Sequence, residues 1–350
     1  GGIYSTHWRR TGLRREQTRP QEKIQGLIEA VQIGKRAGIP VQISHLLSGY
    51  TITPPPPPVL EEASAKATLE LIDKAVSDGV DVWFDVIPNT TGGVFTTSSL
   101  VALLTPWVRE TGSPEGLARA LRLIDFRSEL KELLNAGKWY ALNPRTDQHW
   151  ATRIKITDSK VGLAVGKTIA ELADEKKKDP LDALFDLLQE DPDARGLPAT
   201  IQGELEKATY LKHSRAMVGI DTFSLDYRWE TKNIPKIYPH PNTYGGFPRY
   251  FRVYHRELAL LSLEEAVRKV TGVPAHRFGL KDRGILAEGM KADVVVFDAK
   301  EIGESGDHME PRKHPKGIAH VLVNGKVVVE NGAHTGKTPG SLIRKKVGKR

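Results

Sequence analysis

The hexapeptide Pro40-Val41-Gln42-Ile43-Ser44-His45 is a short strand-like run that ends in a histidine. Two further runs are similar: Gly2-Ile3-Tyr4-Ser5-Thr6-His7 also ends in a histidine, and Ala216-Met217-Val218-Gly219-Ile220-Asp221 ends in an aspartate. The carboxyl ends of the strands of a parallel α/β barrel converge at one mouth, where catalytic groups lie. Two imidazoles and a carboxylate at such a mouth are zinc-type ligands together with a proton carrier.

The segments between these runs alternate between helix and strand. Apolar residues recur at helical spacing over Gln21–Arg36 and Val59–Ser77, and Val80–Ile87 is typical of a buried strand. Strand, helix, strand, helix, strand is the βαβ signature of a parallel sheet. The sequence therefore predicts an α/β protein.

The rest of the chain departs from this alternation. Residues from about 90 to 215 predict an inserted subdomain with helices near 114–136, 168–177 and 180–190. Near the C-terminus, two apolar runs flank Asn324-Gly325, which is a strong hairpin signal. We expect a barrel domain over 1–284 that contains the insertion, a small β domain over 285–337 and a basic tail over 338–350.

Composition excludes several classes of protein. The chain has 350 residues, a net charge of +8 and no cysteine, so it contains neither a disulfide framework nor a thiolate metal site. Positive and negative residues are mostly interleaved, so we expect no nucleic-acid partner. The basic cluster at residues 344–350 is typical of a solvated tail. No apolar run reaches bilayer length, so we expect no membrane association. The absence of cysteine favours a reducing cytoplasm as the location. The start on Gly-Gly, without Met and inside a strand-like run, indicates a cut fragment, although an artificial boundary would look the same.

Several motifs resemble the amidohydrolase superfamily. Its C-terminal signature is similar to Lys291-Ala292-Asp293-Val294-Val295-Val296-Phe297-Asp298 and Val323-Asn324-Gly325-Lys326-Val327-Val328. The N-acyl-D-amino-acid deacylase (D-aminoacylase) branch is indicated by Tyr4-Ser5-Thr6-His7-Trp8-Arg9, Ile43-Ser44-His45-Leu46, Val218-Gly219-Ile220-Asp221 and His240-Pro241-Asn242-Thr243-Tyr244-Gly245-Gly246-Phe247-Pro248-Arg249. The motifs occur in order along almost the whole chain.

This resemblance implies a fold and a set of site residues. The fold would be a metal-bearing (β/α)8 TIM barrel beside a small β-sandwich domain. His7 and His45 would be the metal ligands of barrel strands five and six, and Asp221, after strand eight, would contact one or two zinc ions and act as general base and acid. The substrate would be a small-molecule amide, with Arg9, His240 and Arg249 as candidate contacts.

The sequence also departs from the family. It contains no His-x-His pair and no bridging cysteine, so the resemblance implies that barrel strands one to four are missing and that the metal site is incomplete within this chain. Leu47 and Ile87-Pro88-Asn89 also differ from the family pattern near the expected substrate pocket. We therefore expect a second polypeptide, or a missing N-terminal segment, to supply strands one to four.

Alternatives remain open for each candidate. From pattern alone, His7 and His45 are also typical of strand-end histidines bonded to backbone, and Asp221 of a helix cap or turn. Asp85, on an apolar strand, is either a partner of the ligands or a buried structural carboxylate. The main hypothesis is a zinc-dependent, D-aminoacylase-like amide hydrolase. The alternatives are a catalytically incomplete half-barrel that binds or scaffolds, and an amidohydrolase of another cyclic or linear amide.

Overall fold

The computed structural model describes residues 2–9, 23–47, 58–90, 95–96, 104–136, 149–198, 203–222 and 239–344. The chain divides into two compact units, one of residues 1–246 with 306–312 and the other of residues 247–305 with 313–350. The predicted domain boundaries at 284 and 337 stay a prediction. Within the described ranges, no helix combines the length and apolar character needed to cross a membrane.

The first unit alternates strands and helices. In chain order its elements are β1 (Tyr4–Thr6), α1 (Lys23–Ala37), β2 (Val41–Ile43), α2 (Pro58–Ser77), β3 (Val82–Val86), β4 (Phe95–Thr96), α3 (Thr105–Glu110), α4 (Pro114–Ala120), α5 (Ile124–Asn135), β5 (Ile154–Asp158), α6 (Ile169–Lys176), α7 (Pro180–Glu190), β6 (Arg195–Pro198), α8 (Glu204–Lys212) and β7 (Ala216–Val218).

Four of these strands form a parallel sheet in the order β1-β2-β3-β7. The predicted helices and strands are confirmed over the described residues 23–47 and 58–87. One face of the sheet is apolar, and Val41, Ile43 and Phe84 on it are completely buried. The opposite face carries Gln42 and Asp85, which alternation along the strands places on the other side. Because the strands are parallel, their carboxyl ends lie at one edge.

The insertion has its own hydrophobic core and a three-stranded antiparallel sheet in the order β4-β6-β5. The predicted helix over 114–136 is in fact two helices, α4 and α5. Leu117 and Leu121 lie nine to seventeen positions from Leu130 and Leu134, so one straight helix would place the two pairs on different faces. The break over residues 121–123 lets both pairs enter the same core.

Local helix signals in the insertion are confirmed. Thr168 and Glu171 form a reciprocal capping box at the start of α6. Asp179 accepts a hydrogen bond from the backbone N–H of Leu181 at the start of α7.

The second unit contains helices and an antiparallel sheet. Its elements are α9 (Asn242–Tyr250, which begins in the first unit), a π-helical continuation (Phe251–Glu257), α10 (Leu263–Val270), α11 (Gly272–Arg277), β8 (Val294–Phe297), β9 (Ile318–Val323), β10 (Lys326–Glu330) and β11 (Ala333–His334). The four strands lie in the order β11-β10-β9-β8. Asn324 and Gly325 have φ values of 48° and 76°, the pattern of a type I′ turn, so the predicted hairpin is confirmed. A complete β-sandwich stays a prediction.

Candidate metal centre

The three strand-end residues singled out from the sequence come together at one edge of the parallel sheet. The Nδ1 atom of His7 lies 2.7 Å from the Nε2 atom of His45. The Oδ2 atom of Asp221 lies 3.8 Å from the same His45 nitrogen. The strands bring these side chains together because β1, β2 and β7 end on the same side of the sheet.

The three side chains differ in their access to solvent. The His45 residue is 4% exposed, whereas His7 is exposed. The Asp221 side chain is 60% exposed. His45 is therefore a fixed inner member of the group, and Asp221 is open to water.

The backbone turns sharply at two of these residues. His45 has a φ of 42° and Asp221 a φ of 41°, both in the left-handed region that residues with a side chain rarely adopt. Such conformations persist where the surrounding contacts hold them. Contacts of this kind surround both residues.

Asp85 holds the turn at His45. Its Oδ1 atom accepts a hydrogen bond of 2.7 Å from the backbone N–H of His45, and its Oδ2 atom accepts one of 3.0 Å from Gln42. Burial raises the pKa of Asp85, an effect that the two hydrogen bonds oppose and the Asp221 charge reinforces. The sequence left open whether this carboxylate was structural or a partner of the ligands, and the structure bonds it directly to His45.

Asp221 is flanked by two contacts that the sequence did not indicate. The Asn242 amide donates to the carbonyl of Ile220 at 3.3 Å, and the hydroxyls of Thr222 and Thr243 are hydrogen-bonded. These contacts tie the residues on either side of Asp221 to the first turn of α9. The only signal in the sequence was a pair of polar residues following the His240-Pro241 motif.

The candidate substrate contacts lie in different surroundings. Arg9 forms an ion pair of 2.7 Å with Glu29 on α1. The Nδ1 atom of His240 accepts a hydrogen bond of 2.9 Å from the Asn242 backbone, and its ring lies 5.7 Å from that of His308. Arg249 belongs to the second unit, where its Nε atom lies 3.9 Å from Glu304. Their role in substrate binding stays a prediction.

The donor types suit a zinc ion, but their number does not complete a site. Two imidazoles on one tetrahedral zinc, each about 2.0–2.1 Å from the metal, would have their nitrogens about 3.3 Å apart. The 2.7 Å separation between His7 and His45 must therefore widen for both to bind the same ion. Among the residues that the structure describes, no group of three or more His, Cys, Asp or Glu is arranged to hold a metal.

Comparisons with known proteins find similar sequences. A profile of the Amidohydrolase family matches residues 233–329. The D-aminoacylase of Alcaligenes xylosoxydans xylosoxydans is 28% identical over 343 residues, which is 98% of this chain and 55% of that protein. The N-acyl-D-glutamate deacylase of the same organism is 41% identical over 142 residues, which is 41% of this chain and 27% of that protein.

Solved structures give a consistent result. A crystal structure of D-aminoacylase is 28% identical and superposes with a TM-score of 0.60, covering 96% of this chain and 54% of that chain. An N-acyl-D-glutamate deacylase from Bordetella bronchiseptica, complexed with zinc and a phosphonate inhibitor, is 26% identical with a TM-score of 0.53, covering 87% and 49%. The chain spans about half the length of the curated D-aminoacylase that it matches.

The parallel sheet and these matches show an α/β protein that is similar to amidohydrolases. Its similarity to D-aminoacylase extends over almost the whole chain.

Proposed function

We propose that this chain forms part of a zinc-dependent hydrolase that cleaves the amide bond of N-acyl-amino acids. The observation that carries the proposal is the convergence of His7, His45 and Asp221, with separations of 2.7 and 3.8 Å, at the carboxyl edge of a parallel sheet. Two curated relatives are deacylases of N-acyl-D-glutamate and N-acyl-D-aspartate, which supports N-acyl-D-amino acids as the substrate class.

In this proposal His7 and His45 bind the metal through Nδ1 and Nε2, the nitrogens that are hydrogen-bonded to each other in the present structure. A bound zinc ion would polarise the scissile carbonyl and lower the pKa of a bound water to about 7. The exposed side of the site lies at His7, and the buried side at His45. A substrate would therefore approach past His7.

Asp221 is the proposed proton carrier. Its carboxylate lies beside His45 yet is 60% exposed, so a water molecule and the leaving amine can both reach it. It would accept a proton as a general base and return it to the amine nitrogen as a general acid. Its backbone lies in the left-handed region, with a φ of 41°.

We further propose that another segment completes the barrel, either a second polypeptide or a longer form of this chain. The sheet over the described residues has four parallel strands, and its second face carries Gln42 and Asp85. Parallel sheets are normally covered on both faces. The 55% share of D-aminoacylase that the chain spans leaves room for strands one to four and the remaining ligands.

The first experiment is intact-mass spectrometry of the purified preparation, followed by zinc analysis and deacylation assays with N-acetyl-D-glutamate, N-acetyl-D-leucine and their L enantiomers. We expect D-selective turnover, together with zinc that is lost in a His45→Ala variant. A completed, zinc-loaded assembly that turns over none of these compounds would contradict the substrate class. Turnover of a cyclic amide alone would support the alternative amidohydrolase reaction.

A catalytically silent half-barrel that binds or scaffolds is the second candidate. It is favoured by the absence of a complete three-residue metal group among the described residues. In that case Asp221→Asn would leave partner binding intact, and no variant of His7 or His45 would change zinc content. The cytoplasmic location and the lack of a nucleic-acid partner stay predictions.

A further inference from the structure

We infer that Asp85 is the positioning residue of this centre. It fixes the turn that presents His45, and it packs against the strand end that presents Asp221. The inference rests on the proposed function and deepens it by naming the residue that supports two of the proposed ligands.

The first step is the bonding at the His45 turn. Asp85 binds two successive backbone N–H groups there: its Oδ1 atom accepts from His45 at 2.7 Å, and its own carbonyl accepts from Leu46 at 2.8 Å. His45 has a left-handed φ of 42° and is 4% exposed. A single residue of β3 therefore sets the backbone from which the imidazole projects.

The second step is the contact with Gly219, two residues before Asp221. A Cβ atom built on Gly219 would lie 2.5 Å from Oδ1 of Asp85, so only glycine lets the carboxylate approach this closely. The N–H of Gly219 also donates to the carbonyl of Val86 at 3.1 Å. The Asp85 side chain is thus packed between the ends of β2 and β7, from which His45 and Asp221 project.

The third step is the fixing of Asp85 itself. Gln42 donates to its Oδ2 atom at 3.0 Å, and Gln42 is 1% exposed. The Oε1 atom of Gln42 is buried and has no hydrogen-bond partner among the described residues. An Asn at position 85 would therefore keep an acceptor for His45, and a rotated Gln42 amide would supply an acceptor for its new NH₂ group. A Leu at position 85 has no acceptor for His45.

These contacts define a pair of variants, Asp85→Leu and Asp85→Asn. Zinc affinity and the cobalt(II) absorption spectrum are measured on the full chain with any polypeptide that copurifies. Loss of a group that orients a metal ligand typically lowers affinity by about 10- to 100-fold. We expect that loss and a changed spectrum in Asp85→Leu, and near-normal values in Asp85→Asn.

The matched control is Asp191→Leu. Asp191 is a buried carboxylate of the insertion that accepts from the backbone N–H of Lys160 at 2.7 Å and from the Ser159 hydroxyl at 2.9 Å. Its loss should destabilise the insertion without changing the cobalt spectrum. If Asp85→Leu does not fold, Gly219→Ala provides the second variant, because its methyl group displaces the Asp85 carboxylate.

The outcomes separate this inference from the proposed function. The positioning role is overturned if folded Asp85→Leu keeps the zinc affinity and cobalt spectrum of the wild type. If Asp85→Leu does not fold, the same result in Gly219→Ala overturns it. If the wild-type chain binds no metal through His45, the proposed function fails, and amide hydrogen exchange then tests the inference. The backbone N–H of His45 should lose its protection from exchange in Asp85→Leu, or in Gly219→Ala. It should keep that protection in Asp85→Asn and Asp191→Leu. Equal protection in all of these variants would overturn the inference.

Discussion

The imidazoles of His7 and His45 are hydrogen-bonded to each other, with 2.7 Å between Nδ1 of one and Nε2 of the other. Their ring planes are inclined at 68°, so the rings meet edge to face and do not stack. The nitrogens that touch are the ones proposed to bind metal. Binding of one ion by both nitrogens would therefore replace this bond, and the proton between them would move to another ring nitrogen or to solvent.

We expect His7→Ala and His45→Ala each to lower zinc affinity by more than about tenfold, because loss of a direct ligand costs at least as much as loss of an outer-shell partner. The double variant should be little worse than either single one, since both remove the same site. Titration calorimetry with zinc measures this. His213→Ala is the control, because His213 lies before the start of β7, at the opposite end from Asp221. Its ring lies 2.9 Å from the Asp73 carboxylate.

Asp221→Asn should reduce kcat of the completed enzyme by about 10²- to 10⁴-fold, the usual contribution of a general acid or base. The fold should be unaffected, because the Asp221 side chain is 60% exposed. Steady-state kinetics on an N-acetyl-D-amino acid test this, with Asp81→Asn as the control at the other end of the sheet. Turnover that survives in Asp221→Asn would remove its role as the proton carrier.

Asn242→Ala should lower kcat more than it raises KM. The variant leaves the Ile220 carbonyl without the Asn242 amide, a loss of about 1 kcal/mol for one hydrogen bond. The neighbouring Asp221 then has fewer contacts to hold its left-handed backbone. Thr243→Val, which removes the hydroxyl bonded to Thr222, should give a smaller change in the same direction. Equal kcat values for Asn242→Ala and wild type would contradict this role.

Acid should destabilise the insertion through the carboxylates that face Arg127. Burial alone would raise the pKa of Asp182 and Asp186. Hydrogen bonds and charges outweigh burial and lower both pKa values. They come from Lys131 and Arg127 at Asp182, and from Lys178 and Arg127 at Asp186. A carboxyl group with a lowered folded pKa stabilises the fold above its unfolded pKa, about 3.9 for Asp, and this stabilisation disappears as the pH falls through the folded value.

Arg127→Met should therefore speed amide exchange in α7 at pH 7 and have a smaller effect under acidic conditions that protonate both carboxylates, where only the bond from Arg127 to the Asp182 carbonyl is lost. The Nε–H of Arg127 donates to the Asp182 carboxylate at 3.2 Å, and its Nη2 atom lies 2.8 Å from the Asp186 carboxylate, so its removal takes one partner from each. Hydrogen exchange at both pH values measures the effect. The exposed Arg109 supplies the control variant Arg109→Met; an equal effect of the two variants would contradict the prediction.

Short-range features could be predicted from the sequence. The capping box at Thr168, the N-cap at Asp179 and the turn at Asn324-Gly325 depend on residues within a few positions of one another. Hydrophobic periodicity likewise predicts α1 and α2, because one apolar face packs against the sheet. The parallel arrangement of β1, β2 and β3 follows from the helices that connect them.

The break between α4 and α5 was not predictable in this way. The window over 114–136 favours helix throughout, and only the shared core of Leu121 and Leu130 requires the chain to turn. Packing that joins distant segments can override local helical preference.

Local sequence predicts where the strands end, and this makes His7, His45 and Asp221 the candidates. Their mutual distances, the bond from His45 to Asp85 and the bond from Asn242 to Ile220 were not. These contacts join residues 22 to 176 positions apart. They depend on strand register and on how α9 packs, which local propensity does not specify, so only the folded chain determines which carboxylate supports which ligand.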